Sequence, residues 1–220
     1  AQRHLPLKTA VVNAETETVM MSAKLATEHN LIEPILVGDA GAINSIATAI
    51  NWDMGKFTVV DAGGEIKAAK ISVGLARSGK VSALMKGHIH SETLMQEALQ
   101  RKQGIRLKRR PSHAFYMTVP GNEQGICITD AVINVLPRVK QKIEIARNVI
   151  ELMHALGNPE PRVAMISGTE VSTPEMPSSM DAVEVVKAAE SGALPGAEIA
   201  GPMALDVAIS EQAATIKGVN

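Results

Sequence analysis

The chain has 220 residues, of which 45% are hydrophobic and only 2% aromatic, so its core is aliphatic. Its 22 basic and 23 acidic residues leave a net charge of −1. That balance excludes a general nucleic-acid or membrane-surface binder. The single cysteine, Cys127, excludes a disulfide framework within the chain. It lies in an apolar run, which predicts a buried core thiol.

The two ends of the chain and its hydropathy bear on location. No apolar run approaches the roughly 18 to 20 residues of a membrane span, and "AQRHLPLK" is not a signal peptide. We therefore expect a soluble, cytoplasmic protein with no membrane partner. The chain lacks an initiator Met and stops at "IKGVN". We expect it to be a piece of a longer chain.

The first half alternates short apolar strands with helical segments. Strands are predicted at "TAVVNA", "EPILVGDA", "KFTVVDAGG" and "VSALMKG". Helices are predicted at "TETVMMSAKLATEHN", "INSIATAI", "EIKAAKISVGLARSG" and "SETLMQEALQRK".

The second half repeats this alternation. Strands are predicted at "GICITD", "PRVAMISG" and "GAEIAG", and helices at "SSMDAVEVVKAAESG" and "PMALDVAISEQAATIKG". The clearest helix is "PRVKQKIEIARNVIELMHALG", with Pro137 suited to its first turn and Gly157 to its C-terminal cap. One face of that helix is apolar: Val139, Ile143, Ala146, Ile150 and Met153.

Strand–helix alternation of this length predicts an α/β fold with a largely parallel sheet and right-handed crossovers. The least regular stretch, residues 103–125, contains a basic cluster and a Pro-Gly pair. We expect two α/β lobes, residues 1–125 and 126–220. Ligands in such folds bind at the carboxyl ends of the strands.

Polar residues with small neighbours follow most of the predicted strands. Because the carboxyl ends of parallel strands meet at one edge, these residues predict a cleft. They are Lys86, Gly87, His88 and His90; Ser112 and His113; Thr129, Asp130 and Asn134; Ser167, Gly168, Thr169 and Glu170; and Gly201, Pro202 and Asp206.

Two nucleotide-binding motifs can be set aside. The glycines Gly74 and Gly79 precede Lys80 at P-loop spacing, but Val81 replaces the magnesium-binding Ser or Thr. These glycines also belong to a helical segment. No G-x-G-x-x-G follows a strand, so a Rossmann dinucleotide site has no support.

The stretch "KGHIH" leaves three interpretations open: a metal site, an anion site, or a polar strand end with a solvated lysine. His88 and His90 could begin a metal site, with further ligands from His113, Asp130 or Glu170. Lys86 and Gly87 fit an anion site better. A glycine lets a backbone N–H approach a phosphate, and the following helix start adds partial positive charge.

Two further polar groups have alternative interpretations. The basic cluster Arg106, Lys108, Arg109 and Arg110 either binds a second, larger anion or is a solvated loop. Asp130 and Asn134 could hold a substrate carbonyl or hydroxyl, although Asp130 could instead cap the following helix.

The stretches "ALMKGHIH", "PSHAFYMTVPG", "CITDAVINVLPRVKQKIEIARNVIELMHALG", "PRVAMISGTEV", "MPSSMDA" and "GPMALDVAISEQAATIKG" occur in this order over nearly the whole chain. Together they resemble the phosphate acetyltransferase and phosphate butyryltransferase family, including members fused to an enoyl-CoA hydratase-like domain.

The resemblance implies an isocitrate/isopropylmalate dehydrogenase-like fold, with two α/β lobes, a cleft between them and a homodimer. It implies the reaction acyl-CoA + phosphate = acyl phosphate + CoA, with CoA as a substrate and no bound metal or cofactor. The expected partners are acyl-CoA, phosphate and acyl phosphate. The expected substrate-binding residues are Lys86, Gly87, Ser112, Thr129, Asp130 and Asn134, followed by Glu170, Gly201, Pro202 and Asp206.

Two departures from the family pattern affect this expectation. A helical arginine that holds the acyl phosphate in the family is replaced by Gln96. Either a neighbouring cation such as Arg101 or Arg106 substitutes for it, or phosphate binding is weakened. The family's Ser-Arg and Asp, implicated in orienting the CoA thiol and taking its proton, lie beyond Asn220. Asp130 and Asp206 are the fallback bases within this chain.

Three other functions stay open from the residues alone. They are a metal-dependent hydrolase using His88 and His90, a dehydrogenase of the same fold, and a non-catalytic module that binds acyl-CoA or phosphate. The acyl chain length cannot be predicted from the sequence, because one or two methylenes change binding by only about 1–3 kcal/mol.

Overall fold

A computed structural model describes residues 5–119 and 122–219. The chain divides into two compact units, Ala1–Leu107 and Lys108–Asn220. The division lies within the irregular stretch 103–125, earlier than the boundary at residue 125 expected from the sequence. The reason is that residues 114–119 pair as a strand with residues 122–129, which keeps this segment with the second unit.

The first unit contains a four-stranded parallel sheet. Its strands are β1 (Leu7–Val12), β2 (Ile32–Gly38), β3 (Thr58–Asp61) and β4 (Ala83–Lys86). The strand order is β3-β2-β1-β4, so the direction of winding reverses between β1 and β4. This part of the α/β prediction is confirmed.

Four helices accompany this sheet: α1 (Glu17–Glu28), α2 (Ala40–Ala49), α3 (Glu65–Arg77) and α4 (Ser91–Ala98). Val11 on one sheet face packs in a core with Met20 of α1 and Ile43 of α2. Val12 on the opposite face packs in a core with Ala69 of α3. Both faces are therefore covered, which explains why these strands are almost continuously apolar.

The second unit contains two separate strand pairs. β5 (Ala114–Val119) and β6 (Asn122–Thr129) pair antiparallel, whereas β7 (Arg162–Ile166) and β8 (Glu198–Met203) pair parallel. The antiparallel pair departs from simple strand–helix alternation. Too few residues separate β5 from β6 for a crossover, so the chain must reverse direction.

Helices α5 (Val139–Ala155) and α6 (Pro177–Glu190) pack with β7 and β8. Four residues of the predicted apolar face of α5 are confirmed: Ala146 and Ile150 are buried in this core, and Val139 and Ile143 pack against it. The fifth, Met153, is half-buried and is not among the residues of this core. Arg138 is the N-cap residue of α5, so Pro137, predicted in the first turn, lies just before the helix.

The last predicted helix is interrupted. It consists of α7 (Leu205–Ile209) and α8 (Glu211–Lys217), because Ser210 is extended and accepts a hydrogen bond from the N–H of Ala213 at 3.2 Å. Serine side chains compete well for such free N–H groups, which starts a new helix at this point. None of the described helices is long and apolar enough to cross a membrane.

Candidate functional site

The carboxyl ends of β1 and β4 lie side by side at the point where the winding of the sheet reverses. The two strands are in register up to Val12 and Lys86. Crevices at such reversal points are the common ligand sites of open α/β sheets, because the two following chain segments diverge from them. Lys86 and Gly87, predicted from the sequence as an anion site, occupy this position.

Gly87 has a structural explanation that differs from the predicted one. Its N–H donates to the carbonyl of Val12 at 2.9 Å, so it is not available to a phosphate. A Cβ on Gly87 would collide with the Val12 carbonyl oxygen and would lie 2.7 Å from that of Asn13. Glycine is needed here because β4 approaches the backbone of β1 too closely for a side chain.

The Lys86 side chain and the start of α4 are the positively charged features at this strand end. Lys86 is exposed, and the salt bridges in the described part of the chain do not include it. No side chain caps the N-terminus of α4. An ammonium group and uncapped helical N–H groups both attract anions, so the anion-site interpretation rests on these two features.

His90 is held by Glu65, a contact that the sequence did not reveal. The Glu65 carboxylate accepts the His90 backbone N–H at 3.1 Å and lies 2.9 Å from Nδ1 of its ring. The hydrogen bond from the His90 side chain lowers the pKa of Glu65. In the described ranges no three His, Cys, Asp or Glu side chains come together as a metal site would require. His90 therefore has an observed structural partner, whereas His88 is simply exposed.

A second group of predicted residues lies where β6 ends. Asp130 Oδ1 accepts the N–H groups of Val132 at 3.0 Å and Ile133 at 2.9 Å. Its other oxygen accepts the side-chain amide of Asn134, which also donates to the carbonyl of Pro111 at 3.0 Å. The structure thus brings Asp130 and Asn134 together in a network that orders their own loop.

Ser112, His113 and Thr129 belong to the same end of the β5–β6 pair. Thr129 Oγ1 donates to the carbonyl of His113 at 2.6 Å, and Asn148 Nδ2 donates to Ser112 Oγ at 2.9 Å. His113 packs edge-on against Phe115. Its buried Nδ1 has no hydrogen-bond partner among the residues described. These contacts hold Ser112, His113 and Thr129 at the same end of the β5–β6 pair as Asp130 and Asn134.

The electrostatics of Asp130 follow from these donors. Partial burial of its carboxyl raises the pKa, but the backbone N–H groups of Val132, Ile133 and His113 and the amide of Asn134 outweigh burial and leave the pKa below its ordinary value. Hydrogen bonds to the ionised form have this effect because protonation would break them.

We expect Asp130→Asn to destabilise the protein at neutral pH by on the order of 1 kcal/mol, because the charge-assisted acceptor is lost. A depressed carboxyl pKa gives a stabilisation that is complete above the unfolded value of about 3.9 and disappears as pH falls through the folded value. Urea unfolding at several pH values measures this. The difference between variant and wild type should shrink below about pH 4, and a difference independent of pH would contradict the assignment.

The basic cluster predicted as a second anion site is partly occupied by protein groups. Arg109 donates to the Glu151 carboxylate at 2.6 Å, and this contact raises the pKa of Arg109 and lowers that of Glu151. Arg110 donates to Asn134 Oδ1 at 3.0 Å. Arg106 and Lys108 are exposed. Two of the four cations therefore tie their loop to neighbouring residues.

At the ends of β7 and β8, two predicted acids share one lysine. Lys217 Nζ lies 3.0 Å from both Glu170 Oε1 and Asp206 Oδ1. Its hydrogen bonds lower the pKa of Glu170 and of Asp206, and the two carboxylates raise the pKa of Lys217. Ser167 is buried and bonded to Ser178, whereas Thr169 Oγ1 accepts the N–H of Val171.

Close packing explains why glycine occupies positions 168 and 201. A Cβ on Gly201 would lie 2.7 Å from the Met165 carbonyl oxygen, and one on Gly168 would lie 3.0 Å from the Met176 methyl carbon. Pro202 follows within β8 and is half-buried. These small residues let the β7–β8 ends approach each other and the loop before α6.

Three residues were missed at the sequence level: Asn13, Glu65 and Asn148. Asn13 is buried, and its Nδ2 donates to the carbonyl of His88 at 2.7 Å. Asn148 joins α5 to the loop before β5. A polar residue at the end of the first strand was a usable signal for Asn13, but Glu65 and Asn148 lie in helices and carried none.

Cys127, predicted as a buried thiol, is half-buried, and burial raises its pKa.

Comparisons with known proteins bear on these observations. A sequence model of the family "Phosphate acetyl/butaryl transferase" matches residues 65–220. A phosphate acetyltransferase of Rhizobium meliloti is 40% identical over 220 residues, covering 100% of this chain and 70% of the relative. A phosphate butyryltransferase of Clostridium acetobutylicum is 36% identical over 212 residues, covering 96% of this chain and 70% of the relative.

The solved structures agree. A branched-chain phosphotransacylase from Enterococcus faecalis V583 has a TM-score of 0.77 at 26% identity, covering 97% of this chain and 75% of that one. The chain spans 62 to 70% of the length of the first curated relatives it matches. By the family match and these relatives, the chain belongs to the phosphate acetyl/butaryl transferase family, whose enzymes transfer acyl groups between CoA and phosphate.

Proposed function

We propose that the protein containing this chain moves a short-chain acyl group between CoA and inorganic phosphate, and that Lys86 and the start of α4 bind the phosphate group. The observation that supports the phosphate assignment is the position of an exposed lysine and an uncapped helix N-terminus at the sheet's reversal point. Family membership supports the reaction.

The chemistry is a direct acyl transfer with both substrates bound. A phosphate oxygen attacks the thioester carbonyl carbon, a C–O bond forms, and the C–S bond breaks to release the CoA thiolate, which takes up a proton. The reverse reaction starts from the thiolate and the acyl phosphate. Such a reaction depends on positioning of both substrates and on cations that offset phosphate charge. Lys86 supplies one of these cations.

The second unit contributes further candidate residues. We propose that Ser112, Thr129, Asp130, Asn134, Glu170, Gly201, Pro202 and Asp206 line substrate-binding surfaces at its strand ends. Their hydrogen bonds support this proposal by giving the loops after β6, β7 and β8 defined conformations. A substrate group is positioned accurately only by loops that are themselves ordered.

Asp130 and Asp206 fit positioning better than proton transfer. The pKa of each carboxyl lies below its ordinary value, by hydrogen bonds from backbone and amide groups at Asp130 and from Lys217 at Asp206. A general base works best when its pKa lies near the working pH. We therefore propose that these two carboxylates hold loops, and that neither accepts the thiol proton.

The finer features of fold and assembly are proposed on the family relationship. We propose the isocitrate/isopropylmalate dehydrogenase-like version of the α/β fold, a homodimer, and action in the cytoplasm. The parallel sheet of the first unit and the likeness to phosphotransacylase structures support the fold assignment.

A CoA-release assay on the whole protein tests the proposed function. Thiol release is measured with straight-chain acyl-CoAs of two to six carbons, with and without phosphate. Phosphate-dependent release is expected, and the chain-length profile identifies the acyl group. Release that does not depend on phosphate would indicate a hydrolase. Substrate binding without any turnover would indicate a non-catalytic module. In a separate binding measurement, tight NAD(P) binding would indicate a dehydrogenase.

Gln96 provides a gain-of-function prediction. It lies on the exposed side of α4 and donates to Glu92 at 3.0 Å. The family pattern has an arginine at this helical position. The substitution Gln96→Arg therefore introduces the cation that the resemblance leads us to expect. We expect the phosphate KM to fall or stay unchanged, since added positive charge attracts the anion. A clear rise in the phosphate KM would mean that Gln96 does not face the phosphate.

A further inference from the structure

Asn13, at the end of β1, makes two hydrogen bonds to the segment that follows Lys86 at the end of β4. It follows β1 directly, and its backbone carbonyl accepts the N–H of His88 at 3.1 Å. Its side-chain Nδ2 donates to the carbonyl of the same His88 at 2.7 Å. Both backbone polar groups of His88 are therefore bonded to one residue that lies 75 positions earlier in the sequence.

The backbone of Asn13 makes these two hydrogen bonds possible. Its φ is +56°, a left-handed conformation that asparagine tolerates better than most residues. The chain turns sharply after β1, and the side chain is only 3% exposed. A glycine would adopt the same backbone without difficulty, so the conformation alone does not require a side chain here.

One polar group of the Asn13 side chain is unsatisfied. Oδ1 of Asn13 is buried and has no hydrogen-bond partner among the residues described. A buried acceptor without a partner is unfavourable, and such groups in native proteins call for an explanation beyond packing. The hydrogen bond from Nδ2 to the His88 carbonyl offsets the free-energy cost of this unsatisfied acceptor.

We propose that Asn13 is a positioning residue that fixes the turn from Lys86 to His90, and thereby holds the Lys86 ammonium and the first turn of α4 in place for the substrate's phosphate group. The proposal rests on the proposed function. Asn13 acts through the backbone of His88 and does not itself touch the substrate. Its effect is therefore expected on phosphate binding more than on the acyl-CoA or on the stability of the fold.

The test compares Asn13→Gly and Asn13→Asp with Asn30→Gly in the whole protein. Asn13→Gly keeps the left-handed backbone and removes the side-chain hydrogen bond, whereas Asn13→Asp keeps the shape and replaces the donor by an acceptor facing a carbonyl oxygen. Asn30 is the matched control, because its φ is also +56° but its side chain is exposed. Initial rates are measured over phosphate and acyl-CoA, together with thermal unfolding.

We expect Asn13→Gly to raise the phosphate KM by about tenfold, the effect of losing one hydrogen bond of ordinary strength. Asn13→Asp should raise it further, because a buried carboxylate would face the His88 carbonyl oxygen. The acyl-CoA KM should change by less than about twofold, and Asn30→Gly should leave both constants unchanged. A phosphate KM within twofold of wild type in Asn13→Gly, or a proportional loss of all parameters that follows unfolding, would overturn the proposal.

Phosphate binding measured directly separates this proposal from the proposed reaction. If the wild-type protein shows no turnover, titration calorimetry with inorganic phosphate still compares it with Asn13→Gly. Weaker binding in Asn13→Gly supports the positioning role even though the reaction assignment has failed. Equal binding in the two proteins, or no phosphate binding by either, overturns it.

Discussion

Replacement of Lys86 by alanine is expected to raise the KM for phosphate and for acyl phosphate by roughly 10- to 140-fold, which corresponds to a loss of about 1.5–3 kcal/mol. The physical reason is the loss of a charge-assisted contact from an exposed ammonium at the end of β4. Steady-state rates at varied phosphate and saturating acyl-CoA measure the effect.

Two further lysine variants sharpen this experiment. Lys80→Ala removes another exposed charge shortly before the same strand begins, and its phosphate KM should stay within about twofold of wild type. Lys86→Arg keeps the charge and should recover part of the affinity. If phosphate saturation in Lys86→Ala is the same as in wild type, the phosphate group binds elsewhere.

Replacement of Gly87 by alanine is expected to have the largest effect on stability, a loss of about 3 kcal/mol and a thermal midpoint lowered by roughly 10 °C. The added methyl group meets backbone atoms of Val12 and Asn13, which cannot rotate away as a side chain could. The β1–β4 contact would have to open, and with it the hydrogen bond from Gly87 to Val12. Differential scanning calorimetry measures the change.

Gly63→Ala is the matched control. Gly63 precedes α3, and a Cβ built there meets nothing within 4 Å. It should therefore change the thermal midpoint by no more than about 2 °C. A Gly87→Ala protein as stable as Gly63→Ala would show that the backbones of β4 and β1 are not in close contact at Gly87. It would also contradict the β1–β4 packing on which the positioning role of Asn13 depends.

The elements of the first unit were predictable because each leaves a local signature. Continuous apolar runs mark the strands that are covered on both faces, and helical spacing marks the segments between them. The sheet, its parallel direction and the position of Lys86 at a strand end all follow from these patterns. The second unit was less predictable, because the antiparallel β5–β6 pair and the break at Ser210 depend on short segments with weak periodicity.

The sequence by itself determined the α/β class, the family motifs and the strand ends that carry polar residues. The tertiary structure alone decided what those residues do: Gly87 allows close approach of two strands, Asp130 is held by its own loop, and Asn13 grips His88. The physical reason is the separation along the chain over which each effect acts. Periodicity and turn chemistry act within a few residues, whereas the partner of a backbone N–H or a carboxylate is set by packing between segments far apart in the chain, such as Asn13 and His88.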